Sequence, residues 1–383
     1  VPVTDTAPRT GPWWTTRRVS ALLPDFPWDR LLPHAATARS HPDGIVDLSV
    51  GTPVDPTPEV VQRALRGAAD APGYPTTHGP ARLRATITEH LARRLGVPDV
   101  DPTAVLPLIG SKELVASLPS LLGLGPADRI AIPELAYPTY EVGALLAGAT
   151  AVRCDEPSGL DPAGLRMIWL NSPSNPTGAV HDPAWLRRLV AWARSHDVLV
   201  VSDECYLELG WEGTPVSVLH PDVCDGDHRG LLAVHSLSKR SNLAGYRAAF
   251  LVGDPEIVAE LLAVRRHAGM MAPAPVQAAM AAALTDDAHV AEQRERYARR
   301  RWLLREALTE AGFTIEHSEA GLYLWATRGQ PCWQTVADLA TSGILVAPGE
   351  FYGPAGARHV RIALTASDER VEAALRRLAH APS

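Results

Sequence analysis

Lysine is nearly missing from this chain of 383 residues: of 36 basic residues only Lys112 and Lys239 are lysine, and the others are arginine. A coding bias toward Arg and Ala explains the scarcity, and under such a bias a lysine persists most readily where arginine cannot replace it. Arginine stays protonated and cannot form an imine, whereas a lysine amine can lose its proton and attack a carbonyl. Both lysines are therefore candidates for covalent chemistry, with chance survival as the competing explanation. Cysteine is also sparse. Cys154, Cys205, Cys224 and Cys332 are widely spaced and form no C-x-x-C pair, which argues against a disulfide framework or a zinc site and fits reduced thiols in a cytoplasm. No apolar run reaches the roughly 18 residues that a membrane span needs. The formal net charge of −7 offers no attraction to nucleic acid or anionic lipid. No G-x-G-x-x-G lies between a strand and a helix, so a nicotinamide-dependent dehydrogenase lacks its phosphate fingerprint. Val1 to Arg18 has no charged start followed by an apolar block, so it reads as a polar tail rather than a secretory signal.

What is present is an ordinary globular composition, 46% hydrophobic and 21% charged, in a chain long enough for a main domain and a satellite. Ile45–Val50 alternates like a strand and runs into Gly51-Thr52-Pro53. Residues 59–69 and 81–95 have helical spacing. Gly110-Ser111-Lys112-Glu113 opens an apolar helical stretch to Leu122. Ile130–Ile132 and Met167–Leu170 read as strands, the second ending at Asn171. Asp182-Pro183 starts a helix with proline at its first position, and Trp185, Leu186, Leu189, Val190 and Ala193 share one face. Val198–Val201 is wholly apolar, as expected of a strand buried on both faces of a parallel sheet. Leu231–Val234 and Ala248–Val252 are further strands. Beyond them come a charge-rich helix over about 287–311, a hairpin-like pair around 313–327, strands at 344–347 and 359–364, and a helix from Asp368. The alternation in the middle third predicts an α/β, mostly parallel sheet with helices on both faces, followed by a smaller α+β unit.

Polar residues cluster at the strand ends, where open α/β sheets place their ligands. Lys239 follows a strand within Ser236-Leu237-Ser238-Lys239. Eight residues later Arg247 supplies a guanidinium fork suited to a phosphate. Asp203 closes the buried strand, and a carboxylate there calls for a partner; helix capping or metal ligation are its competing roles, and Glu204 beside it should point elsewhere. Tyr206 and Asn175 are hydrogen-bond donors that only the whole set makes interesting. Gly110, Ser111 and Lys112 lie at a predicted helix N-terminus, which attracts phosphate. Tyr137, before Pro138, could stack on a planar ring or simply fill a core. Together these residues meet the needs of pyridoxal phosphate: a lysine for the imine, a carboxylate for the pyridine nitrogen, donors for the phenolic oxygen and a phosphate cradle.

Asn175-Pro176-Thr177-Gly178, Ser202-Asp203-Glu204-Cys205-Tyr206 and Ser236-Leu237-Ser238-Lys239 with Arg247 resemble the signature of the class I/II aminotransferases of PLP fold type I. The likeness runs from about Leu22 onward, and four separated motifs occur in family order. It implies that Lys239 holds the cofactor and moves the proton between the substrate α-carbon and cofactor C4′. It implies Asp203 on the pyridinium, Asn175 and Tyr206 on the phenolic oxygen, and Ser236, Arg247 and the Gly110–Lys112 turn on the phosphate, with Tyr137 stacked on the ring. By the same resemblance Tyr74, in Gly73-Tyr74-Pro75, reaches the neighbouring subunit's phosphate in a homodimer, and Arg361 clamps the substrate α-carboxylate with help from the Gly51 backbone and Asn175.

Within that family, 23–29, 47–56 and 72–77 are most similar to the actinobacterial succinyldiaminopimelate aminotransferases of lysine biosynthesis. The expected organisation is a tail over 1–20, an arm and part of the small domain over 21–50, a large cofactor domain over 51–268 and a small domain over 269–383. The expected reaction moves an amino group from N-succinyl-LL-2,6-diaminopimelate to 2-oxoglutarate, or back. Aspartate, a neutral amino acid or a cysteine-conjugate lyase substrate are alternatives. A regulatory protein of the same fold is a further one, although it would carry a DNA-binding segment, and 1–20 is too short and not basic enough for that.

Overall fold

The computed structural model describes residues 19–379. The expected tail lies outside them except for Val19 and Ser20, which open a short 3-10 turn, Val19–Leu22. Helix α1 (Leu32–Arg39) leads to β1 (Val46–Asp47), α2 (Glu59–Gly67) and α3 (Ala81–Leu95). Then come β2 (Val105–Ile109), α4 (Ser111–Leu121), β3 (Arg129–Ile132), α5 (Thr139–Ala147), β4 (Thr150–Arg153) and β5 (Leu165–Asn171). They are followed by α6 (Pro183–Ser195), β6 (Leu199–Asp203), α7 (Pro221–Cys224), β7 (Leu231–Ser236), α8 (Leu237–Arg240) and β8 (Ala248–Gly253). Helices α9 (Pro255–Ala268), α10 (Ala274–Thr285) and α11 (Ala288–Glu310) precede β9 (Thr314–Glu316) and β10 (Tyr323–Thr327). The last elements are α12 (Cys332–Thr341), β11 (Ile344–Leu345), β12 (Ala347–Pro348), β13 (Val360–Ala363) and α13 (Asp368–Leu378).

Seven strands form one sheet in the order β2-β8-β7-β6-β5-β3-β4, parallel except that β8 runs against both its neighbours. Residues of β6, β7 and β8 are buried almost throughout, which is why their sequences are continuous apolar runs rather than alternations. Apolar clusters flank the sheet on its two faces. Helix α6 shows the local logic. The Asp182 carboxylate accepts from the Trp185 N–H at 2.8 Å, Pro183 fits the first turn, and Leu186, Leu189, Val190 and Ala193 are buried against the sheet.

A second, four-stranded antiparallel sheet, β12-β13-β10-β9, builds the smaller layer. Its core joins residues from both ends of the chain, including Leu31, Val46, Tyr297, Trp325, Tyr352 and Leu378. Strand β1 pairs in parallel with β11. The expected strand over 45–50 is thus only two residues long, because its partner is Ile344–Leu345 and the backbone beyond serves other donors. Leu48 O accepts from Ala363 N and Val50 O from the Thr365 hydroxyl. Helix α10 contributes Ala279, Met280, Ala283 and Leu284 to a cluster of the large sheet, on the far side of the 268/269 division from the elements it packs against.

Candidate functional site

The carboxyl ends of β5, β6 and β7 meet in register. Asn171 pairs with Asp203, and Asp203 with Val234, so the loops that follow converge on one edge of the sheet. The Asn171 amide donates to Pro173 O and Asp203 O, and its oxygen accepts from Asn175 N. That side chain ties the loop of Asn175 to the strand end of Asp203. The Ser236 hydroxyl accepts from Ser238 N at 3.2 Å and caps α8. Lys239 lies in that single turn, half-buried, and its Nζ donates to the Gly51 carbonyl. Burial disfavours its ammonium and pulls the amine below its usual value, helped by Arg361 and Arg247 and opposed by Tyr323 and Cys205.

Arg247 precedes β8 in a left-handed conformation, φ 56°, and its exposed guanidinium turns back along the loop, where Nη1 donates to Ala244 O at 2.9 Å. Its Nη2 lies where a Cβ on Gly110 would stand. Glycine at 110 therefore leaves the room that the guanidinium occupies, and φ of +83° there also disfavours any side chain. Helix α4 starts at the next residue, and Ser111 Oγ accepts from Cys205 Sγ at 3.5 Å. The structure thus brings Gly110, Ser111, Lys239 and Arg247 to one place. It turns the exposed Lys112 ammonium elsewhere, 5.9 Å from the centre of the Phe26 ring.

Two buried charges define the site further. Asp203 accepts from the Tyr140 hydroxyl at 2.9 Å and from Cys205 N at 3.2 Å, and among the described residues it has no ion-pair partner. Burial raises its pKa against the pull of those donors. Arg361 donates from Nη1 to Asn175 Oδ1 at 2.9 Å and from Nη2 to Ser49 O at 2.7 Å. Its guanidinium carbon stands 3.9 Å from the Tyr323 ring centre and 4.9 Å from that of Tyr352. It is 3% exposed, its Nε has no hydrogen-bond partner, and no carboxylate pairs with it among the described residues. A carboxylate without a cation and a guanidinium without an anion are costly to bury. Arg361 acts directly on the Lys239 amine, and Asp203 holds Cys205, which acts on it too.

Glu204 points away from Asp203, as expected. It accepts from Val218 N at 2.8 Å and faces His235 at 3.4 Å, and burial pushes its carboxyl up to about 7. Tyr137 is partly buried, edge-on to Tyr140 at 5.8 Å, with burial moving its hydroxyl up to about 12. Tyr206 is buried, and its hydroxyl lies 3.1 Å from that of Tyr323. Tyr74 stands apart from all of these on a loop, 98% exposed. Sequence reading missed Tyr140, Tyr323, Tyr352 and Ser49. Tyr140 sits two residues after Pro138, and Gly321-Leu322-Tyr323 opens the expected hairpin strand, but neither carried a signal of its own. No group of three metal-ligating side chains occurs among the described residues.

Residues 43–378 match the family of aminotransferases class I and II. The chain belongs to that family. The aminotransferase is 66% identical over 360 residues to a probable aminotransferase of Mycobacterium tuberculosis, covering 94% of this chain and 86% of that one. It is 59% identical over 356 residues to the 4-dedimethylamino-4-oxo-anhydrotetracycline transaminase OxyQ of Streptomyces rimosus, covering 93% and 99%. An LL-diaminopimelate aminotransferase of Dehalococcoides mccartyi is 32% identical over 379 residues, covering 93% and 96%. Among solved structures, an aminotransferase from Neisseria meningitidis superposes with a TM-score of 0.87 at 29% identity, covering 95% and 99%. Aminotransferases of this class use pyridoxal 5′-phosphate.

Proposed function

We propose that Lys239 binds pyridoxal phosphate and that the enzyme moves amino groups between an amino acid bearing an α-carboxylate and a 2-oxo acid. The pair of orphan charges carries this reading. Asp203 is a buried carboxylate in need of a cation, and a protonated ring nitrogen is one. Arg361 is a buried guanidinium in need of an anion, and a substrate carboxylate fits its fork. Gly110, Ser111, Ser236 and Arg247 would hold the phosphate, Tyr206 and Asn175 the phenolic oxygen, and Tyr137 would lie against the ring. When bound, the cofactor supplies an electron sink for the pair left as the substrate α-proton departs.

The protein's own part is positioning and proton movement. Arg361, steadied by Ser49 O and Asn175, fixes the substrate through its carboxylate and so sets its α-carbon. The Lys239 amine, whose charged form burial disfavours, would take the proton from that carbon and return it to the cofactor. Paired with a protonated ring nitrogen, Asp203 would be favoured in its charged form and would keep that nitrogen's proton in place. For the donor we propose N-succinyl-LL-2,6-diaminopimelate with 2-oxoglutarate, on the likeness of 23–29, 47–56 and 72–77. A second reading is an aromatic polycyclic ketone as amino acceptor, favoured by the identity to the Streptomyces rimosus transaminase.

Borohydride reduction and peptide mapping should put the cofactor on Lys239; label on Lys112, or no label, would sink the mechanism. A panel of amino donors with 2-oxoglutarate then ranks the substrates. Aspartate or alanine far outrunning the succinylated diamino acid would remove that donor and leave the aminotransfer reading intact.

A further inference from the structure

Tyr323 is the first residue of β10 and is 4% exposed. The antiparallel register sets it opposite Ala363 and diagonal to Arg361, on the same face of the small sheet. Its ring lies under the Arg361 guanidinium, and its hydroxyl lies 3.1 Å from that of Tyr206 with the two rings at 73°. A Cβ on Gly51 would overlap the Tyr323 hydroxyl. The Gly51 carbonyl is also the acceptor of the Lys239 amine. One side chain therefore touches a residue from each side of the site: the strap at Gly51, the loop after β6, and strand β13.

We propose that Tyr323 is a positioning residue that fixes the Tyr206 hydroxyl through its own hydroxyl and the Arg361 guanidinium through its ring. The proposal rests on the roles given above to Tyr206, Arg361 and Lys239. A phenol carries one proton. If Tyr206 donates its proton to the cofactor's phenolic oxygen, the 3.1 Å contact requires Tyr323 to be the donor toward Tyr206. A hydroxyl that accepts a hydrogen bond donates a stronger one, so Tyr323 adds to the stabilisation of negative charge on that oxygen. Burial alone would raise the Tyr323 hydroxyl, but Arg361 and Lys239 together pull it below its usual value; an acidic phenol is the better donor. The groups that face it are Arg361 from β13, Lys239 from α8, Cys205 and Tyr206 after β6, Tyr137 before α5, Tyr297 from α11 and Tyr352 ahead of β13. The ring acts separately. Stacked 3.9 Å from the guanidinium carbon, it holds the fork in the plane set by Asn175 and Ser49.

Two substitutions separate the two contributions. Y323F keeps the ring and removes the hydroxyl; Y323L removes both. In enzyme loaded with pyridoxal phosphate, the pH midpoint of the visible absorption band should rise by about half a unit or more in Y323F, the size of one lost hydrogen bond. Calorimetric titration with succinate should give Y323F a Kd within about twofold of wild type and raise that of Y323L by about fivefold or more, in line with the cation–π range. Thermal melts of both variants check that they fold, and the conservative Y323F keeps the hydroxyl half testable by itself. A midpoint in Y323F that stays put or falls would overturn the hydroxyl role. Wild-type succinate affinity in a folded Y323L would overturn the ring role. Both results leave the cofactor assignment standing, because wild type still shows its band. A wild type with no band on addition of pyridoxal phosphate removes the assignment of Lys239 and this inference with it.

Discussion

Charge and proton position at single side chains govern what this site can do. Lys239 is the clearest case, since only the neutral amine attacks an aldehyde and burial lowers the pH at which it becomes neutral. Lowering an amine's pKa enlarges its neutral fraction at any pH below the ordinary value. In cofactor-free K112R protein, which keeps one lysine, the rate of band formation with pyridoxal phosphate should reach half its maximum at a pH clearly under 10.5. A half-point at or above that value would show that the amine is solvated like a surface lysine. Asp203 invites a second test. D203N leaves a neutral amide where the ring nitrogen's charge would sit, and turnover should fall by about 100-fold or more, given that a buried ionic hydrogen bond is worth about 3 kcal/mol or more. Steady-state kinetics with saturating cofactor would measure it, and a loss under tenfold would rule out the pairing. Lys239 was legible because lysine is so scarce. Tyr140 and Tyr323 were not, because their meaning comes from partners 63 and 117 residues away in sequence, and no local pattern marks a lone tyrosine.

Among the elements, α11 does more than fill space. Its Arg300, with a side chain 2% exposed, reaches Asp55 with both Nη atoms at 2.6 and 2.8 Å and Asp368 with Nε at 2.7 Å. Gln293, two turns earlier, donates to Asp55 at 2.8 Å and accepts from Asn242 at 3.0 Å, and Asn242 also donates to Pro56 O. The loop that follows Lys239 is so fastened to the strap that carries Gly51. Burial works against the Asp55 charge, but Arg300 and Gln293 hold its carboxyl below the usual range. R300M would leave the buried Asp55 carboxylate without its cation, while Asp368 keeps Arg299, and should cost about 3 kcal/mol or more, read from urea unfolding at pH 7. The sign with pH follows from linkage. A lowered carboxyl pKa gives stability that is present above the unfolded value of 3.8 and fades as pH falls through the folded one. The gap between wild type and R300M should therefore narrow below pH 3.8; an unchanged gap would assign the effect to packing. Most central strands and long helices could be read from apolar spacing. The two strands left unread, β2 and β4, are the two edges of the large sheet. Strand β2 holds Pro107, tolerated at an edge where one side needs no donor. Helix α10 is apolar nearly all round, so it shows no face to detect.

At the scale of the whole molecule, the α/β class with a smaller antiparallel layer followed from the order of apolar runs, whereas the way the layers share segments did not. The pairing of Val46 with Ile344 and the bond from Arg361 to Ser49 O join positions some 300 residues apart, beyond any window of spacing. The exposed Tyr74 belongs to this scale too, since among the described residues no recorded hydrogen bond or ring contact employs it. If it completes a neighbouring site in a homodimer, then Tyr74→Ala and Lys239→Ala chains, each nearly inactive alone, should recover activity when unfolded together and refolded. Random pairing would restore about a quarter of wild-type sites, because each hybrid holds one site with both residues intact. No recovery in hybrids proven by mass spectrometry would place Tyr74 outside the neighbouring site. The parallel pairing of Val46 with Ile344 and Asp47 with Leu345, beside the bond from Arg361 to Ser49 O, also has a consequence in time. Ser49 leaves the ribosome 312 residues before Arg361, a delay of about 15–60 s at ordinary elongation rates. The seven-stranded sheet and the turn of Lys239 are synthesised within that interval, so a growing chain can hold the complete Lys239 loop before it owns Arg361. On the proposed roles, the carboxylate anchor is completed only after the cofactor site.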